Sequence, residues 1–160
     1  MSIEIFEECH DSILITDIIQ KSFITVAKEF GFTKENAPTF SAFINKNKID
    51  SEFEKGLKMY VYKIGNIPVG TIGYIFENNK YNIERLSVLP EYRHKNIGKK
   101  LMKFIENLIK SKKAKIIRLG MVFENKKLLE WYLEQGYKLI EIKEHKGLIF
   151  KIGIMEKEIE

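Results

Sequence analysis

Cysteine occurs once in the 160 residues, at Cys9. No intramolecular disulfide can form, and no Cys/His spacing suited to a metal is present, so neither a disulfide scaffold nor a zinc module is expected. A lone free thiol points to a reducing compartment, the cytoplasm. Proline is scarce too, at three residues, and low-complexity tracts and internal repeats are missing, which argues against linker-like and solenoid chains. Long apolar runs are also lacking. The stretch from Ile13 to Ile19 is short and interrupted by Asp17, and the opening MSIEIFEE is acidic where a secretory leader would be basic. Neither export nor a membrane partner is expected.

What is present suits a folded chain: 44% hydrophobic and 31% charged residues. One substantial core fits this length, and a single domain over residues 1–160 is expected. Lys and Arg number 27 against 22 Asp and Glu, a formal +5 that would favour an anionic ligand and fits a Lys-rich, solvated surface equally well. No nucleic-acid-binding motif accompanies the charge, so nucleic acid is not the expected partner.

Taken in order, Ile3, Ile5 and Phe6 alternate with glutamates and predict a short first strand. Asp11 or Ser12 then caps a helix whose apolar face runs from Ile15 to Phe30 and stops at Gly31. Two short helices are expected next, about Thr39 to Asn45 and Asp50 to Lys55, with Phe32, Phe40 and Phe43 either docking them on the core or lining a pocket. Met59 to Ile64 and Ile67 to Phe76 predict a hairpin across Gly65-Asn66, and a turn at Asn78-Asn79-Lys80 leads into a third strand. Beyond Lys112 the pattern predicts a strand over Lys115 to Met121, a helix over Asn125 to Gln135 closed by Gly136, and strands over Tyr137 to Lys143 and Leu148 to Met155 joined at His145-Lys146-Gly147. The resulting order, β-α-α-β-β-β-α-β-α-β-β, is that of a mixed α/β or α+β domain.

The most informative stretch is YNIERLSVLPEYRHKNIGKKLMKFIENLIKSK, from Tyr81 to Lys112. A strand gives way to a basic turn, and from Ile97 the apolar residues Leu101, Phe104, Ile105, Leu108 and Ile109 repeat at helical spacing. Arg93, His94, Lys95, Asn96, Gly98 and Lys99 cluster where that helix opens. A helix start offers free backbone N–H groups and the positive end of the helix dipole, which suits a phosphate.

In that context RHKNIG, Arg93 to Gly98, resembles the acyl-CoA pyrophosphate loop of the GNAT N-acetyltransferase superfamily, Gln/Arg-x-x-Gly-x-Gly/Ala. Arg93 and Gly98 fit, and Asn96 stands where the first Gly is usual; Asn tolerates the left-handed backbone that such a turn needs. NKKLLEWYLEQGYKL, Asn125 to Leu139, resembles the second signature, an Asn opening a helix and a Tyr four residues before Gly-Tyr: Asn125, Tyr132, Gly136 and Tyr137. The two motifs cover roughly the second half of the chain.

The resemblance implies a GNAT-like fold, a mostly antiparallel twisted sheet of about seven strands flanked by helices. It also implies acetyl-CoA as co-substrate, without a metal, and a primary amine as acceptor, in direct transfer within a ternary complex. The loop Arg93, His94, Lys95, Asn96, Ile97, Gly98 and Lys99 would wrap the pyrophosphate, a backbone N–H of Leu86, Ser87 or Val88 would polarise the thioester, and Asn125 would bind the pantetheine arm. Tyr132 would be the general acid. Read without the resemblance, Asn125 is a helix cap, Gly136 a stop and Tyr132 a core residue. Glu84 has two readings, a general base on the central strand and a cross-strand partner for a nearby cation. An unbroken strand would put Glu84, Leu86 and Val88 on one face, and a bulge would reverse that.

His94 and His145 are expected to be exposed, Trp131 to pack, and Cys9, far from both motifs, to carry no acyl group. The acceptor pocket is expected to draw on Phe32, Phe40 and Phe43 and on Glu144 or His145. Exposed edges of the last strands would allow a homodimer. A second class of function keeps the same fold and pocket as a non-catalytic acyl-CoA-binding module.

Overall fold

Turn chemistry sets the strand pairing. Asn78 and Asn79, at φ 54° and 62°, make a two-residue turn that twists with the strands it joins, β3 (Ile67–Glu77) and β4 (Lys80–Val88). Gly65, at φ 62°, turns β2 (Lys58–Ile64) back on β3. The computed structural model describes residues 3–159. Its remaining strands are β1 (Glu4–Glu8), β5 (Ile116–Val122), β6 (Lys138–Lys143) and β7 (Ile152–Glu158). The helices are α1 (Ser12–Phe30), α2 (Lys46–Glu54), α3 (Ile97–Lys110) and α4 (Lys126–Glu134). The seven strands form one sheet in the order β1-β2-β3-β4-β5-β7-β6. Every neighbouring pair is antiparallel except β4 and β5.

Helices cover both faces, because each carries one apolar stripe. On one face Ile97, Leu101, Met102, Ile105 and Ile109 of α3 pack with Tyr132 of α4 against Tyr62, Ile72, Ile83 and Leu119. On the other, Ile15, Ile18 and Ile19 of α1 and Ile49 of α2 meet Met59, Val61 and Ile75. Burying each such aliphatic side chain contributes about 1.5–3 kcal/mol.

The predicted element order holds, and the differences are local. Asp11 caps α1, its carboxylate accepting from the N–H groups of Ile13 and Leu14 at 3.1 Å each, and Gly31 ends the helix at φ 71°. The segment expected as a helix over Thr39 to Asn45 contains only a 3-10 turn, Ser41–Phe43. The following helix starts earlier than expected, because Asn45 caps it by accepting from the Lys48 N–H at 3.1 Å. The turn at His145–Gly147 forms, but the last strand begins at Ile152. Leu148 and Phe150 go instead to a separate cluster, where Phe150 packs with Phe32 and Phe40, and the N–H of the exposed Ile149 donates to the Asn36 carbonyl at 2.9 Å.

Candidate active site

The parallel pair β4–β5 starts together and then separates. Its ladder consists of Tyr81 opposite Ile117 and Asn82 opposite Arg118, after which both strands continue without pairing to each other. Being parallel, they open a wedge at their carboxyl ends, where each runs into the start of a helix. The loop before α3 lies on one lip of the wedge and Asn125, before α4, on the other. Strand alternation shows what faces the gap. The Leu89 N–H donates to the Val69 carbonyl of β3 at 2.9 Å, so the Val88 N–H points away from β3, and by the same alternation so does that of Leu86. The Ser87 N–H is directed at β3.

The loop itself turns through two left-handed residues, His94 at φ 63° and Asn96 at φ 62° and ψ 17°. Asn96 thus adopts the conformation that the usual Gly would supply, at the modest cost of a side chain in that region. α3 begins at the next residue, and its first internal bond is from the Lys100 N–H to the Asn96 carbonyl at 3.1 Å. The N–H groups of Ile97, Gly98 and Lys99 therefore have no intrahelical acceptor, a donor set that fits a pyrophosphate. His94, Lys95 and Lys99 are exposed around them, whereas Lys100 is paired with Glu4 at 2.8 Å. Gly98 backs onto the Trp131 ring, which an added Cβ would meet at 3.4 Å.

Arg93 is engaged elsewhere. Its guanidinium donates to Thr25 Oγ1 at 2.9 Å and to the Ser22 carbonyl, tying the loop to α1.

Glu84 lies on the far side of a bulge from its expected neighbours. Ser87 pairs with Thr71 and Glu84 with Gly73, so Arg85 and Leu86 together oppose Ile72, and Arg85 takes φ 57°. The bulge reverses the alternation. Leu86 and Val88 pack on the α3 face, whereas Glu84 and Ser87 share the face of Gly73, where an added Cβ would strike Leu57 and Met59. Burial pushes the Glu84 carboxyl up to about 7, with Glu52 and Glu77 adding to the rise and Arg85 and Lys48 opposing it. The adjacent cation is spent on another carboxylate: Arg85 Nε and Nη2 donate to Glu52 at 3.1 and 2.7 Å, and Nη1 to Ser41 Oγ at 3.2 Å. The cross-strand cation considered as a partner for Glu84 is thus absent from its carboxylate, and Arg85 and Glu52 are what the sequence reading missed. The 33 residues between them leave no local signal that they meet.

Tyr132 is buried, its ring set edge-on against Trp131 and Tyr137 at 5.1 and 5.9 Å. Burial alone raises its hydroxyl well above the ordinary tyrosine range, so it stays protonated. Tyr137, by contrast, donates to Glu106 at 2.6 Å and has a structural role. Asn125 caps α4 through Oδ1, which accepts from the Leu128 N–H at 3.2 Å. Gly136 ends that helix at φ 95°. Phe32 and Phe40 are buried in the aromatic cluster, while Phe43 is half-buried at its border and Glu144 and His145 are exposed. A hollow of about 410 Å³ beside Phe76, Tyr81 and Lys112 lies at the opposite, amino-terminal end of β4 and β5, away from the wedge.

The family model for the acetyltransferase (GNAT) domain matches residues 29–157. No curated protein is detectably similar in sequence. Solved structures share the fold. The PaiA N-acetyltransferase of Thermoplasma acidophilum, in complex with coenzyme A, is 19% identical with a TM-score of 0.72, over 98% of this chain and 99% of that one. The ribosomal-protein-S18-alanine N-acetyltransferase of Escherichia coli is 12% identical with a TM-score of 0.76, over 98% and 94%. A GNAT family acetyltransferase of Elizabethkingia anophelis with acetyl-CoA bound is 15% identical with a TM-score of 0.72, over 98% of each chain.

Proposed function

The chain belongs to the GNAT acetyltransferase family, and on that premise we propose that it moves an acetyl group from acetyl-CoA to a primary amine by direct transfer in a ternary complex. The observation that carries this reading is the wedge between β4 and β5, with unpaired strand N–H groups on its wall and a helix N-terminus at its mouth. The turn from His94 to Lys99 holds the pyrophosphate through backbone donors and the nearby cations, and Arg93 keeps that turn in shape by its bonds to α1. Asn125 on the opposite lip has no partner for its amide N–H₂ among the described residues, which leaves that group for the pantetheine arm.

Each chemical task has a group suited to it. A primary alkyl amine has a pKa of about 10.4 and must lose a proton before it attacks. Glu84, with a carboxyl near 7 and no ion-pair partner among the described residues, accepts that proton directly or through water. The Val88 N–H, with that of Leu86, faces the gap and stabilises negative charge gathering on the thioester oxygen. Tyr132, held protonated by burial, donates to the departing thiolate.

The test is release of free thiol from acetyl-CoA on addition of primary amines: polyamines, aminoglycosides, amino acids and peptides with free amino termini. Amine-dependent release that Glu84→Gln abolishes supports the proposal. Saturable acetyl-CoA binding with no release from any amine would replace it with the non-catalytic binding module.

A further inference from the structure

Arg85 lies directly beside Glu84, yet every nitrogen of its guanidinium donates elsewhere. Nε and Nη2 fork onto Glu52 in the last turns of α2, and Nη1 reaches Ser41 in the 3-10 turn. Its backbone is fixed as firmly. The Arg85 carbonyl accepts from Thr71 Oγ1 at 2.8 Å and lies 3.4 Å from Ser87 Oγ, while the residue takes a left-handed conformation that non-glycine residues seldom adopt. The two ends of the ion pair are only 12% and 20% exposed, so its geometry is shielded from solvent. A fork of this kind fixes the guanidinium plane as well as its position.

We propose that Glu52 is a positioning residue for the acetyl-transfer site: by capturing the Arg85 guanidinium it holds the β4 bulge and keeps that cation from neutralising the Glu84 carboxylate. The inference rests on the reading of Glu84 as general base. An arginine released next to Glu84 would form a charge-assisted pair with it and hold it ionised and hydrogen-bonded, which makes a poor proton acceptor. The ionisable groups acting on Glu84 are Arg85 on its own strand, Glu77 on β3, and Lys48 and Glu52 on α2. Lys48 also lies 3.8 Å from Glu52, so the α2 carboxylate gathers both nearby cations.

Opposite substitutions at the two ends of the pair then have opposite effects. Glu52→Gln frees the cation and lowers the Glu84 pKa, whereas Arg85→Gln removes the cation, leaves Glu52 charged and raises it. Each shift is expected to be about one pH unit. The experiment is a pH titration of the Glu84 side-chain carboxyl carbon by NMR in the full chain labelled at glutamate, with Glu84→Gln assigning the resonance. Glu52→Ala removes the same carboxylate, so it shifts the titration downward as Glu52→Gln does and serves if that variant fails to fold. Thiol-release rates at fixed amine are read on the same variants, and their limiting ionisation should move with the carboxyl. Loss of activity with a merely weakened fold would leave the titration where it is.

Titration of Glu84 near 7 in the wild-type chain, moved down by Glu52→Gln or Glu52→Ala and up by Arg85→Gln, supports the proposal. A wild-type titration near 7 that stays within about 0.2 pH units in the folded variants overturns the role of Glu52 and leaves Glu84 intact as a base. A wild-type Glu84 that titrates in the ordinary carboxylate range removes the base itself, and the proposal with it.

Discussion

At the scale of single residues, Glu84 works against folding at neutral pH. Its folded pKa, about 7, lies above its ordinary value of 4.5. Its contribution is therefore fully present below about 4.5 and is lost as the pH rises through about 7. Glu84→Gln, neutral throughout, should match the wild-type stability near pH 4 and exceed it by about 2 kcal/mol at pH 8, after allowance for residual exposure. Thermal melts at the two pH values check this, and a difference that does not grow with pH would remove the raised carboxyl from the account. Tyr132→Phe keeps the buried ring and loses only the hydroxyl. It should lower kcat about 10²-fold at unchanged acetyl-CoA affinity; full turnover with every productive amine would take Tyr132 out of the chemistry. At Asn96 the left-handed backbone is the requirement. Asn96→Gly should bind acetyl-CoA at least as tightly as the wild type, while Asn96→Val, strained by about 1–2 kcal/mol, should bind it several-fold more weakly.

At the scale of elements, the loop between β4 and α3 commits one cation, Arg93, to α1 and leaves Lys95 and Lys99 exposed. Arg93 joins it to α1, so Arg93→Ala should destabilise the fold by about 1.5–3 kcal/mol, the range for hydrogen bonds made by a charged group. Lys95→Ala and Lys99→Ala should leave stability within about 0.5 kcal/mol and make acetyl-CoA binding weaker. Denaturant melts beside binding isotherms separate the two groups. Local patterns made most of this legible from the sequence. Helical periodicity from Ile97 to Ile109, a cap at Asp11 and stops at Gly31 and Gly136 each depend on residues within a few positions of one another. The bulge at Arg85 was not legible, because it is stabilised by Thr71 on another strand and by Glu52 and Ser41 on other elements. The start of β7 was missed for the same reason: Leu148, Ile149 and Phe150 are apolar enough for a strand, and contacts with Phe32 and Asn36 take them out of it.

At the scale of the molecule, the segment between α1 and α2 and the segment before β7 are held together by aromatic packing. Phe32 and Phe40, between α1 and α2, meet Phe150, before β7, at ring separations of 5.0 and 5.8 Å. Phe150→Ala should cost about 3–5 kcal/mol and loosen both segments at once. Amide exchange at Ile149, whose N–H donates to the Asn36 carbonyl, reads that loosening directly. Among the described residues no helix is long and apolar enough to cross a membrane.

Acetyl-CoA binding in the wedge, with the helix N-terminus beside it, is what the proposed reaction requires first. Calorimetric titration of the purified chain with acetyl-CoA, with CoA and an adenine nucleotide as comparisons, tests it before any acceptor is known. Saturable binding near one site per chain, shared by CoA and weakened by Asn96→Val, is the predicted result. A folded chain that binds none of the three at low salt would contradict the account, and the assignment of an acetyl-transfer reaction would fall with it.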